Sequence, residues 1–206
     1  MIEIKGLSKR YGELVVFEDF HLKIPEEEIT CIIGPSGSGK STLLNIVSGL
    51  TPYEKGEIYG ISDKKISYIF QDTRLLPWST SLENIMFVLT SIFSQKEARD
   101  IALEYLDLVG LSNYSDFYPD ELSGGMKQRV AIARAFAYPS ELLLMDEPFK
   151  ALDFELKYNL IDAFLGIWNQ NKRTVLFVTH DIEDTKRLGH NIIKVPVENA
   201  CKDSKL

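Results

Sequence analysis

Apolar positions along this chain alternate between two periods. Residues 2–33 carry short β-type runs separated by turns, at Ile2–Lys5, Val15–Phe20 and Ile29–Ile33. The last run, Ile29-Thr30-Cys31-Ile32-Ile33, is apolar almost throughout, as a strand buried on both faces requires. Thr42–Val47 then takes helical spacing, Gly56–Gly60 reads as a short strand between glycines, and Ile66–Phe70 as another. From Ser81 to Val109 the period is helical. Leu82, Ile85, Met86 and Leu89 share one face, and Ile101, Leu103, Leu106 and Leu108 repeat the spacing. Strand signals return at Leu142–Met145 and Thr174–Val178. Strands alternating with helices predict an α/β protein on a mainly parallel sheet, and the helical middle predicts an α-helical subdomain inserted at roughly residues 73–136. No repeat, low-complexity stretch or Pro/Gly linker divides residues 1–206, so a single domain is expected.

Candidate chemistry sits where these elements meet. Gly34-Pro35-Ser36-Gly37-Ser38-Gly39-Lys40-Ser41-Thr42 fits the P-loop pattern G-x-x-x-x-G-K-[ST], between a buried strand and a helix as that pattern needs. Glycines let backbone N–H groups wrap phosphates, and the helix dipole adds positive charge. Lys40 would reach the β- and γ-phosphates of a nucleotide, and the Ser41 hydroxyl would ligate Mg²⁺. Downstream, Leu122-Ser123-Gly124-Gly125-Met126 opens a second helical run; Ser123 would cap it, leaving Gly124 and Gly125 to present N–H groups to a phosphate. Leu142–Met145 ends in Asp146 and Glu147, neighbours that point apart and can hold different roles. Asp146 would hold Mg²⁺ and Glu147 would accept the proton of an attacking water. Three further candidates have bland alternatives. Gln71 could order Mg²⁺ or water or be an ordinary exposed glutamine, His180 could orient water beside a γ-phosphate or be structural, and Tyr11 could stack on adenine or belong to core or surface.

Charge and composition narrow the partners. A formal net charge of −7 argues against nucleic acid or an anionic membrane surface as the main partner. No apolar run approaches the ~20 residues of a membrane span, and Met1-Ile2-Glu3-Ile4-Lys5 lacks a signal-peptide layout, so a soluble cytoplasmic protein is expected. Cys31 and Cys201 have no metal spacing, and Cys31 reads as core.

Together these residues resemble the ATP-binding-cassette family, from about Ile2 to Lys194. The resemblance implies a P-loop NTPase core with a small antiparallel β subdomain. It also implies ATP and Mg²⁺ as ligands, an adenine-stacking aromatic at Tyr11, a Q-loop glutamine at Gln71, a signature at Leu122–Met126, a D-loop at Ala151-Leu152-Asp153 and a switch histidine at His180. In that family two such chains pack head to tail, each signature closing on the other's ATP. The segments Phe70–Trp78 and Asp146–Asp153 resemble ATP-hydrolysing subunits of nitrate, sulfonate and taurine importers. That subgroup implies membrane permease subunits as partners, a substrate-binding protein indirectly, and a location on the inner face of the cell membrane. Trp78 would then be an interface anchor, or else pack the helical subdomain. The alternative is a soluble cassette ATPase not tied to transport. Three departures stand out: Lys150 replaces the usual Gly or Ser beside the expected dimer interface, the stretch from Lys40 to Gln71 predicts a small sheet short of a hairpin, and the tail beyond Lys194 predicts curtailed final strands.

Overall fold

In the computed structural model, residues 1–150 and 152–194 are described; Ala151 and the segment from 195 onward, including Cys201, lie outside. β1 (Ile2–Tyr11) pairs antiparallel with β2 (Leu14–Ile24) on one side and β4 (Lys55–Tyr59) on the other. Among the described residues β4 enters this small sheet alone, without an extra hairpin. Both long strands exceed their apolar runs: bulges at several points in the β1–β2 register keep the pairing going through polar residues as far as Tyr11–Leu14.

The second sheet is parallel throughout, in the order β5 (Ile66–Ile69), β6 (Leu142–Asp146), β7 (Thr174–Thr179), β3 (Ile29–Ile33) and β8 (Asn191–Lys194). Its central strands are apolar without interruption because each face enters a different core. Leu142 and Leu144 join Ile32, Leu176 and Val178 beneath the antiparallel sheet and helix α1 (Lys40–Val47). Leu143 and Met145 join Ile29, Cys31, Val175 and Phe177 against the remaining helices. Cys31 is fully buried, and burial with the nearby Asp184 carboxylate pushes its thiol up to about 12, which makes it an inert packing residue.

Helices α2 (Ser81–Leu89), α3 (Gln95–Leu108) and α4 (Gly124–Ala137) pack on one another. The first two begin with capping boxes, Thr80 with Glu83 and Ser94 with Glu97. The C-terminal end of α4 is closed by Arg173, whose guanidinium donates to the carbonyls of Phe136 and Tyr138 at 3.2 and 3.1 Å. α5 (Phe154–Gln170) and α6 (Ile182–Leu188) complete the fold. Among the described residues, no helix is long and apolar enough to cross a membrane.

One buried amide organises the segment between β5 and α2. Asn84, fully buried, accepts from Leu76 N–H at 2.8 Å and donates to the carbonyls of Leu76, Ser79 and Thr80 at 3.2, 2.9 and 3.0 Å. Arg134 of α4 donates to the carbonyls of Thr73 and Arg74 at 3.1 and 3.0 Å, and to Asn84 itself at 3.4 Å. These contacts satisfy a loop that has no ladder of its own. Asn84→Ala orphans several of the groups at once and is expected to lower unfolding free energy by about 2–4 kcal/mol, read from chemical denaturation. The exposed Glu83 neighbour, changed to Gln, should cost under about 1 kcal/mol.

Candidate active site

The register of the parallel sheet gathers the candidate residues along one edge. Ile33 lies opposite Thr179, Asp146 opposite Val178 and Ile69 opposite Met145. The loops that follow these strands therefore leave from the same, carboxyl end: Gly34–Gly39 after β3, Gln71 after β5, Glu147 after β6 and His180 after β7.

The glycine loop closes tightly on the small sheet. Gly39 caps α1 with φ +86°, and a β-carbon there would lie 2.6 Å from Val16 Cγ1 and 2.9 Å from Phe17 Cζ. Gly37, at φ +81°, faces open space, so its requirement is conformational alone. Lys40 is buried and folds back to donate to the carbonyls of Gly34 and Pro35 at 2.8 and 2.7 Å. Burial lowers its pKa, while the fields of Glu147 and Asp146 oppose that shift. The hydroxyl of Ser38 is buried in the same loop with no hydrogen-bond partner.

Next to the loop, Asp146 lies beside the Ser41 hydroxyl; burial raises its pKa, the Ser41 neighbour opposes this, and the Glu147 charge raises it further. Glu147 adopts φ +46°, a left-handed conformation held by its N–H donating to Val178 O at 2.9 Å. Its carboxylate meets His180 Nδ1 through Oε1 at 3.0 Å and Lys150 Nζ through Oε2 at 2.7 Å. Burial raises its pKa, but the contacts with Lys150 and His180 together outweigh that, and the net shift is downward. The lysine that departs from the usual Gly or Ser beside the expected dimer interface pairs with Glu147 within the chain.

Among the described residues, two of the six α-helices differ from the rest at their N-termini. α2, α3, α5 and α6 each carry an acid in the first turn, whereas α1 and α4 carry none. The positive ends of those two helices are thus left for an outside anion. They are the helices behind the glycine loop and behind Ser123, whose hydroxyl accepts from Met126 N–H at 3.3 Å. Ser123 and Gly124 are exposed, and a β-carbon on Gly124 would meet nothing within 4 Å.

The grouping is not complete within one chain. No hydrogen bond or ion pair among the described residues joins Ser123–Gly125 to the glycine loop, Asp146, Glu147 or His180. The link lies lower on the helix, where buried Gln128 donates to Pro148 O at 2.9 Å. Gln71 is exposed beside this edge, and Tyr11 lies half exposed at the end of β1 with the Lys9 ammonium 4.8 Å from its ring centre. Trp78 is 73 % exposed, so it does not pack the helical layer. In the D-loop, Asp153 caps α5 by accepting from Leu156 N–H at 3.0 Å, and Ala151 lies outside the described residues.

These residues fit a magnesium nucleotide. The unpartnered Ser38 hydroxyl, the loop's N–H groups, Lys40 and the acid-free helix end supply the complement of a polyphosphate. The adjacent Ser41 and Asp146 oxygens supply the hard donors that Mg²⁺ takes. Sequence reading missed the Lys150–Glu147 pair, the Gln128 tie and the Arg134–Asn84 network. The i,i+3 spacing of Glu147 and Lys150 was the one local signal available.

The family model described as ABC transporter matches residues 17–150. A bicarbonate transport ATP-binding protein of Synechocystis is 42 % identical over 206 residues, covering 93 % of this chain and 73 % of the relative. An aliphatic sulfonates import ATP-binding protein of Bacillus thuringiensis is 42 % identical over 195 residues, covering 92 % and 77 %. A dimeric ATP-binding cassette solved in a post-hydrolysis state with ADP and Pi superposes with a TM-score of 0.86 at 34 % identity, covering 95 % of this chain and 94 % of the other.

The two glycines make a paired test. Gly39→Ala, facing both a clash and a left-handed backbone, should destabilise the protein by roughly 2–4 kcal/mol in denaturant titration. Gly37→Ala should cost about 1 kcal/mol, its strain being conformational only.

Proposed function

The chain belongs to the ABC transporter family, and on that premise we propose that it is the ATP-hydrolysing subunit of an importer for a small solute, acting as one cassette with its helical subdomain at residues 73–136. Small oxyanions are the favoured cargo class, since relatives named for bicarbonate and aliphatic sulfonates cover most of the chain. A nitrate- or taurine-like cargo has the same character. The observation that carries the reading is the convergence of Lys40, the Ser41–Asp146 pair and the Glu147–His180 pair at the carboxyl edge of one sheet, behind an acid-free helix end.

In this reading Tyr11 stacks on adenine, and the Gly34–Thr42 loop with Lys40 holds the phosphates of ATP. Ser41, Asp146 and Gln71 hold Mg²⁺, which when bound neutralises charge on the phosphate oxygens. Glu147 takes a proton from water as the water oxygen bonds to the γ-phosphorus and the bond to the β-phosphate bridging oxygen breaks, giving ADP and phosphate. His180, hydrogen-bonded to Glu147, keeps that carboxylate and the water in line. Ser123, Gly124 and Gly125 serve the ATP of a second copy packed head to tail. Their separation from the chain's own glycine loop, together with the free end of α4, supports that arrangement.

Trp78, exposed on a segment pinned by Asn84 and Arg134, supports docking against permease subunits at the cytoplasmic face of the membrane, with a substrate-binding protein acting through them. The same feature disfavours a cassette ATPase unconnected to transport.

Lys40→Ala should weaken nucleotide binding roughly 10- to 100-fold in direct titration; unchanged affinity would overturn the phosphate-loop assignment. Glu147→Gln should bind MgATP normally, lose turnover by about 10²–10⁴-fold, and accumulate as a dimer by light scattering. Affinity purification from gently solubilised membranes should bring a polytopic membrane protein in near-equal amount, and Trp78→Ala should release it without altering ATP affinity. Recovery of soluble partners alone would refute the importer assignment.

A further inference from the structure

Lys150 stands out as a cation placed on the acid through which hydrolysis is proposed to run. The turn from Glu147 to Lys150 is fastened at each intervening residue. Pro148 O accepts from buried Gln128, Phe149 is buried with its ring 6.0 Å from that of Phe177, and Lys150 N–H reaches back to Glu147 O at 3.3 Å. So fixed, the turn delivers the Lys150 ammonium to Glu147 Oε2 at 2.7 Å, while His180 holds Oε1 at 3.0 Å. Both carboxylate oxygens are engaged from within one chain, Oε1 by a hydrogen bond and Oε2 by an ion pair without hydrogen-bond geometry. Glu147 is left with 12 % of its side chain exposed, against 52 % for the lysine. Lys150 also helps line a cleft of about 120 Å³ shared with Glu147, Thr179, His180 and Asp181, enough for several waters. Among the described residues the ammonium has no second acidic partner within ion-pair distance.

Resting on the ATPase reading of this site, we propose that Lys150 is a positioning residue that acts through Glu147: it holds the carboxylate in the nucleotide-free protomer and goes on competing with the attacking water for it once ATP is bound, the triphosphate drawing the ammonium away for only part of the time. The competition is physically reasonable. A triphosphate carries several negative charges against one on Glu147, Lys40 lies near enough to feel the Lys150 charge, and the exposed lysine stem is free to swing. A neutral or absent side chain at position 150 leaves Oε2 unclaimed, so nothing in the site itself requires the cation for proton transfer. The lysine therefore acts as a brake on idle hydrolysis rather than as part of the chemistry.

The test compares Lys150→Ala, Lys150→Gln and Lys150→Arg in the full chain with Mg²⁺ and ATP, separating kcat from KM. Ala and Gln should raise kcat roughly threefold to tenfold with KM within about twofold of the parent, and Arg should keep the parent rate. Equal or lower kcat in both neutral variants overturns the proposal. A second readout needs no hydrolysis. With ¹⁵N-labelled lysine, the Lys150 ammonium resonance of nucleotide-free protein should shift on Glu147→Gln and on addition of a non-hydrolysable ATP analogue to the parent. Indifference to both overturns it as well. If Glu147→Gln hydrolyses ATP at the parent rate, the base assignment itself falls. If Glu147→Gln is inactive while Lys150→Ala matches the parent, only the role of the lysine falls.

Discussion

The rest of the molecule depends on the parallel register of β3, β7 and β6. Because Ile33, Thr179, Val178 and Asp146 are locked side by side by main-chain hydrogen bonds, whatever follows each strand must emerge at the same edge. A strand slipped by one residue would turn every side chain to the opposite face, and here both faces are core. The apolar interleaving of Leu142–Met145 thus does two things. It excludes water from the sheet, and it fixes the positions of the polar residues that come next.

The helices extend the same economy to charge. Four of the six compensate their own N-terminal dipoles with a glutamate or aspartate in the first turn. The two that do not are those behind Gly39 and behind Ser123. An uncompensated positive helix end attracts anions wherever it sits, and Gly37 in the loop before α1 and Gly124 at the start of α4 both face open space. One joins the carboxyl edge of the sheet; the other belongs to the helical layer and reaches that edge through Gln128. The unequal treatment of helix ends is written in the sequence and needs no structure to be read.

Much of the site was legible for that kind of local reason. The glycine loop announces itself by strand, loop and helix in succession, and the Asp146–Glu147 pair by an apolar run ending in two acids. The antiparallel sheet was less so. Bulges carry β1 past its apolar run to Tyr11, and no periodicity survives a bulge. The long-range polar ties were not legible at all. Arg134 and Asn84 are separated by 50 residues and meet only because α4 packs on α2. Nothing in Arg134's neighbourhood says that its guanidinium will hold the carbonyls of Thr73 and Arg74. Lys150 was conspicuous as a residue type, but its partner depended on the direction of the turn after Glu147.

Glu147 keeps a left-handed backbone, φ +46°, that a glycine would adopt freely. The backbone would therefore relax on losing the side chain to which the proposed chemistry assigns the proton. Selection for robustness alone would drift this position toward glycine, and under the proposed role selection for turnover would hold it at glutamate against that pull. A sister copy released from hydrolysis but still needed as a structural half of a dimer would be expected to change here first. The backbone angle at one residue is thus a gauge of whether a chain of this kind is still being kept as an enzyme.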